Sequence, residues 1–278
     1  MQRSERTTAL PDGQKIALYE WRPQNPKAVV LLVHGLGEHA GRYEHVAQAF
    51  NDHGYALVGF DHPGHGKSDG VRGHIPSYAV VTDFITRLLS EISGSYPGLP
   101  QFLYGHSMGG NIGLYYLLTC RPQLAGAIIT SPGLGTTEPV PAWKTLMGKV
   151  LFNIAPAMQM DNGLNLAGLA HDPTVIQAYK DDPLVHGKIS VRLGIEMLGN
   201  GKDIVARAAE FPDTPLLLMQ GSQDPIVSPQ VTDQFAKAYH GNLTYKVWDG
   251  LYHELHNEPQ KQAVIQTMID WLDAHLPA

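Results

Sequence analysis

The sequence predicts an α/β protein, with a mostly parallel central sheet, helices on both faces and one inserted helical segment. Three observations carry that reading. Short, continuous apolar runs such as Ala28–Val33 and Tyr55–Phe60 recur, as in strands buried on both faces. Between such runs lie stretches with apolar residues three and four apart, of which Val81, Phe84, Ile85, Leu88, Leu89 and Ile92 are the clearest. The alternation stops once, from about residue 134 to residue 204. Strands alternating with helices imply parallel pairing with right-handed crossovers. The 278 residues, 43% of them apolar, suffice for one large α/β core with an insertion. The expected division is a core of residues 1–133 and 205–278 and a helical cap of residues 134–204.

Taken in order, Asp12-Gly13 separates two extended runs and predicts a hairpin. Residues 28–33 form the first buried strand, residues 43–53 a helix and residues 55–60 the next strand. The stripe from Val81 to Ile92 follows, then the short strand Phe102-Leu103-Tyr104 and the helix that starts near Asn111. Residues 124–130 and 215–221 give two more buried strands, and residues 243–248 the last. Helices are expected over residues 228–240 and 258–275. Within the insertion, Trp143, Leu146, Met147, Val150, Leu151 and Ile154 keep helical spacing, which predicts a greasy lid over an apolar cavity.

Charged residues make up 17%, the net charge is -6, and no Lys/Arg cluster stands out, so nucleic acid is not an expected partner. One cysteine, Cys120, excludes an internal disulfide and fits a reducing compartment; its apolar helix suggests a small buried side chain. The polar N-terminal stretch has no apolar core of a signal peptide, and no run of 18 apolar residues exists. A cytoplasmic location is the expectation.

Gly105-His106-Ser107-Met108-Gly109 lies between a strand and a helix. G-x-S-x-G there is the nucleophile elbow of α/β-hydrolases, which puts Ser107 at the apex of a strained turn. A serine hydroxyl needs a base, usually a histidine oriented by a carboxylate. The order in this fold is Ser, acid, His, each after a strand. Asp224 follows the Leu216 strand, whereas Asp203 and Asp213 precede it at the wrong end. After the last strand stand His253 and His256; His253 lies nearer the strand end, where an imidazole reaches Ser107. The oxyanion donors would be the backbone N–H groups of Met108 and of Leu36, in the loop after Ala28–Val33.

Two rival motifs are weaker. Gly35-x-Gly37-x-x-Ala40 with Asp61 superficially matches a dinucleotide fingerprint, but a hairpin precedes it and His34 and Glu38 crowd the place of a pyrophosphate. His253-Glu254-Leu255-His256 lacks the H-E-x-x-H spacing of a zinc helix. No cofactor and no metal are expected.

Together these motifs resemble the monoacylglycerol lipase branch of the α/β-hydrolases. The resemblance rests on His34-Gly35-Leu36-Gly37-Glu38-His39, the run from Asp61 to Gly70, the elbow, Asp181-Asp182-Pro183-Leu184-Val185, Gly221-Ser222-Gln223-Asp224 and the run from Tyr252 to Glu258. It covers nearly the whole chain. It implies nucleophile Ser107, acid Asp224, base His253, oxyanion donors Leu36 and Met108, and a cap that meets membrane surfaces. The implied substrates are monoacylglycerols and similar single-chain esters. Short-chain esters and lysophospholipids are the alternatives, and a weakly catalytic ligand receptor on this scaffold is the alternative from another class. One departure is local: Ala170-His171-Asp172-Pro173 stands where relatives often carry Ser-Arg-Asp-Pro.

Overall fold

The computed structural model describes residues 1–138 and 140–277, so residue 139 of the expected cap range and residue 278 of the core range lie outside it. Eight strands form the main sheet: β1 (Gln2–Ala9), β2 (Lys15–Arg22), β3 (Ala28–Val33), β4 (Tyr55–Phe60), β5 (Gln101–His106), β6 (Gly126–Thr130), β9 (Leu216–Gly221) and β10 (Leu243–Trp248). Two three-residue strands, β7 (Gln159–Asp161) and β8 (Lys188–Ser190), pair separately. The helices are α1 (Glu44–Asp52), α2 (Tyr78–Ser95), α3 (Met108–Cys120), α4 (Ala142–Ile154), α5 (Pro173–Asp181), α6 (Val191–Ala206), α7 (Pro229–Ala238) and α8 (Lys261–Ala274).

The sheet order is β1-β2-β4-β3-β5-β6-β9-β10. Pairing is antiparallel for β1–β2 and β2–β4 and parallel for every other neighbour. This is the α/β-hydrolase fold. β3, β4, β5, β6 and β9 are buried at every position, or all but the first, because helices cover both faces. α1 and α8 cover one face, and α2, α3 and α7 the other. The carboxyl ends of β3, β5, β9 and β10 therefore open to the same rim.

Three expectations need correction. The insertion is not purely helical, since β7 and β8 pair within it. These strands are too short and too polar to leave a periodic signal. The apolar stripe of α4 does not cover a cavity. Trp143, Leu146, Met147, Val150 and Ile154 are 43–74% exposed, while Gly148 and Phe152 on the opposite side meet α6. A Cβ at Gly148 would lie 2.8 Å from Ile195, so it is the small residue, not the stripe, that seats the helix. Cys120 is exposed rather than buried, because the last turn of α3 emerges from the core after Leu118.

Candidate active site

The turn after β5 is built by close backbone approach. A Cβ on Gly109 would sit 1.9 Å from the Val33 carbonyl oxygen, and one on Gly105 2.6 Å from that of Gly109. Only glycine allows α3 to start so near β3. Ser107 takes φ 55° and ψ -117°, a strained conformation for a residue with a Cβ. Its N–H donates to Thr130 O, and its own carbonyl accepts from the N–H groups of Asn111 and Gly133.

Ser107 Oγ lies 2.9 Å from His253 Nε2, and His253 Nδ1 lies 2.8 Å from Asp224 Oδ2. Asp224 and His253 are buried. A carboxylate only accepts, so Nδ1 carries the proton and neutral His253 presents the Nε2 lone pair to the serine hydroxyl. The other carboxylate oxygen of Asp224 accepts from the N–H groups of Ile226 and Val227, at 2.8 and 3.1 Å. Gln220 Nε2 donates a 3.0 Å bond to Oδ2, and Gln220 Oε1 in turn accepts from Thr232 Oγ1. Burial disfavours the His253 imidazolium, but the Asp224 carboxylate outweighs it and raises the pKa above 6.5. The loop is held from outside as well: Ser131 Oγ donates to His253 O, and Glu254 N donates to Leu169 O at 2.7 Å.

Leu36, in the loop after β3, lines the same cavity as Ser107, and Met108 opens α3 directly after that serine. Among the described residues neither amide is engaged by a backbone acceptor. The β3 loop is braced through its other groups. His34 Nδ1 donates to Gly35 O, His62 Nε2 donates to His34 O, and Gly37 O accepts from His186 N. Burial keeps His34, His62 and His65 well below the ordinary histidine range, so the three rings stay neutral.

Asp61 accepts from Ala40 N, Lys67 N and Tyr19 Oη, which uses its carboxylate for the loop and leaves none for a ribose. His256 stacks on Tyr43 at 4.7 Å rather than facing Ser107, and burial lowers its pKa to about 3. Among the described residues no group of three or more His, Cys, Asp or Glu side chains is placed to hold a metal ion.

A cavity of about 120 Å³ opens at Ser107. Leu36, Leu164, Leu169, Ile189, Met197, Leu198, Ile226 and Val227 make it largely apolar, and Glu38, Asn162, Tyr179 and Glu254 add polar groups. Sequence reasoning missed what holds that polar side. Arg42 lies between two buried carboxylates, bidentate to Glu254 at 2.8 and 2.9 Å and bonded through one nitrogen to Glu38. Glu38 also accepts from Gly35 N and Tyr43 Oη, both at 2.7 Å. Burial raises the Glu38 pKa more than its single contact with Arg42 lowers it. Burial works against ionised Glu254 too, but the bidentate contact prevails and holds it well below the carboxylate range. Arg42→Met strands this charge without a partner and is expected to destabilise the fold by about 3–5 kcal/mol. Urea unfolding measures it, and a loss below about 1 kcal/mol contradicts the arrangement.

Comparison with known proteins finds relatives along most of the chain. The family model Hydrolase_4 (serine aminopeptidase, S33) matches residues 24–260. A monoacylglycerol lipase of Mycolicibacterium smegmatis is 34% identical over 280 aligned positions, covering 99% of this chain and 98% of that protein. An uncharacterized abhydrolase domain-containing protein of Dictyostelium discoideum is 37% identical over 94% of this chain, which spans 28% of its length. The crystal structure of Paleococcus ferrophilus monoacylglycerol lipase superposes with a TM-score of 0.86 at 32% identity, covering 93% of this chain and 99% of that one.

Proposed function

Since the chain belongs to the monoacylglycerol lipase family of α/β-hydrolases and is a carboxylic ester hydrolase, we propose that it cleaves monoacylglycerols to a fatty acid and glycerol through Ser107, His253 and Asp224. The observation that carries this reading is the unbroken hydrogen-bonded chain from Asp224 through His253 to Ser107, opening on an apolar cavity. Ser107 Oγ attacks the ester carbonyl carbon while His253 Nε2 takes its proton. The developing oxyanion is held by the Leu36 and Met108 N–H groups. His253 then gives the proton to the departing glycerol oxygen, leaving the acyl group on Ser107. Water, deprotonated by the same imidazole, releases the fatty acid and restores the serine. Asp224 keeps Nδ1 protonated and stabilises the imidazolium in both halves.

The insertion from 134 to 204 acts as the cap, supplying Leu164, Leu169, Ile189, Met197 and Leu198 to the acyl wall. The exposed apolar side of α4 supports contact of that cap with a lipid surface. No helix among the described residues is long and apolar enough to cross a membrane. The cavity volume favours one second reading, a preference for short acyl chains, since pockets that enclose larger ligands run to about 300 Å³ and above. A panel of monoacylglycerols from two to eighteen carbons, dissolved and in phosphatidylcholine vesicles, tests both. Turnover of long-chain members, faster on vesicles and absent in Ser107→Ala, is expected; turnover confined to two to four carbons moves the assignment to the short-chain reading.

The base works only when neutral. Its raised pKa keeps the inactive imidazolium populated to higher pH, so kcat/KM is expected to fall on the acid side with a midpoint above 6.5. A rate that stays flat from about pH 5 to 8, or a midpoint below the ordinary histidine value, contradicts the assignment.

A further inference from the structure

Asn111 is the one fully buried carboxamide on α3, a helix otherwise apolar on nearly every side. It stands one turn after Ser107, and its N–H donates to the Ser107 carbonyl. Its side chain uses both ends. Nδ2 donates to Gly133 O at 2.8 Å and to Met197 O at 3.2 Å, while Oδ1 accepts from Tyr78 Oη at 2.9 Å. Two carbonyl acceptors on one side identify that side as the amino group.

The three partners come from three places: the start of α2, the loop leaving β6, and the middle of α6. Met197 and the adjacent Leu198 line the apolar cavity. A Cβ built at Gly133 would lie 3.7 Å from Met197 Sδ and 3.6 Å from Ser107 O, so this stretch of α6 stands close beside the serine. α6 lies on bare backbone there, since a Cβ at Gly201 would meet Leu134 O at 2.5 Å. Tyr78 ties the same stretch a second time, its N–H donating to Glu196 Oε2 at 2.9 Å. A buried carboxamide left without these partners is destabilising, so the tether is held by its own satisfaction.

We propose that Asn111 is a positioning residue that fixes α6 relative to Ser107 and so sets the wall on which longer acyl chains are selected. The proposal rests on the ester-hydrolase reading of the cavity. Met197 and Leu198 belong to the apolar lining of the cavity at Ser107, and a longer acyl chain has more apolar surface to pack on that lining than a two-carbon group has. Loosening α6 therefore changes chain-length selection more than reaction at the serine.

Asn111→Leu keeps the branching at Cγ and removes the bonds; Tyr78→Phe removes only the hydroxyl that orients Asn111. Two readouts apply to each variant: kcat/KM for p-nitrophenyl dodecanoate against p-nitrophenyl acetate, and hydrogen exchange of the amides of residues 191–206. For Asn111→Leu the dodecanoate-to-acetate ratio is expected to fall about tenfold, mostly through KM, with exchange in α6 at least tenfold faster. For Tyr78→Phe both effects are expected in the same direction at about threefold. Equal changes for the two esters, or unchanged exchange in α6, overturn the proposal. If Asn111→Leu does not accumulate folded, Tyr78→Phe decides alone, and no shift in it overturns the proposal. If the wild type hydrolyses neither ester, the ester reading fails, while exchange in α6 still decides whether Asn111 tethers it.

Discussion

Ser107→Ala is expected to lower kcat toward a monoacylglycerol by roughly 10⁶-fold, and His253→Ala by a similar factor. The two act as one unit, since Oγ and Nε2 share a single 2.9 Å hydrogen bond. Without the hydroxyl the imidazole has nothing to deprotonate except water. Without the imidazole the hydroxyl keeps the proton of an ordinary alcohol. The double variant is therefore expected to lose no more than either single one, with residual catalysis from the oxyanion donors and binding alone. Single-turnover rates of the three variants check this. Additive losses mean that the two side chains act in separate steps. A Ser107→Ala enzyme within tenfold of wild type means that another group attacks the carbonyl.

Asp224→Asn is expected to lower kcat/KM by about 10⁴-fold while leaving the fold intact. The carboxylate has two sides with different work. Oδ1 faces the N–H groups of Ile226 and Val227, so an asparagine placed there keeps its carbonyl oxygen on those donors. Its amide nitrogen then faces both Gln220 Nε2 and His253 Nδ1. A donor in that place favours the imidazole tautomer with its proton on Nε2, which can no longer accept from Ser107. The variant also loses the charge that raises the His253 pKa, so the acid limb of the pH profile is expected to move to lower pH. Unfolding curves and pH profiles measured together separate the cases. Lost stability with proportionate lost activity points to a structural aspartate, whereas a large rate loss in a stable protein supports the catalytic role.

The middle of the sheet was legible because β3, β4 and β9 are buried on both faces and so read as unbroken apolar runs. The candidate site residues stood out in the sequence because chemistry restricts which residue types can serve and where. Gly105 and Gly109 permit backbone contacts that no Cβ survives, and Asp224 and His253 follow strand ends in the required order. Other features left weaker traces. Glu38 and Arg42 gave no sign of a buried ion pair, since Glu254, which completes it, comes from a segment over two hundred residues away. Periodicity showed that α4 is a helix but not which side meets water, because Gly148 rather than the stripe makes the close contact. Asn111 marked only the start of a helix, and its three side-chain partners are 22, 33 and 86 positions away. Contacts of that kind follow from how the chain closes, not from local pattern.

The central claim is that one serine carries the acyl group. Mass mapping of the protein after treatment with a fluorophosphonate, alongside turnover of a monoacylglycerol by the untreated enzyme, tests it most directly. One adduct per chain on Ser107, with hydrolysis lost in proportion to labelling, is the predicted result. An adduct on another residue, or full labelling of Ser107 in a protein that turns over no ester, contradicts it.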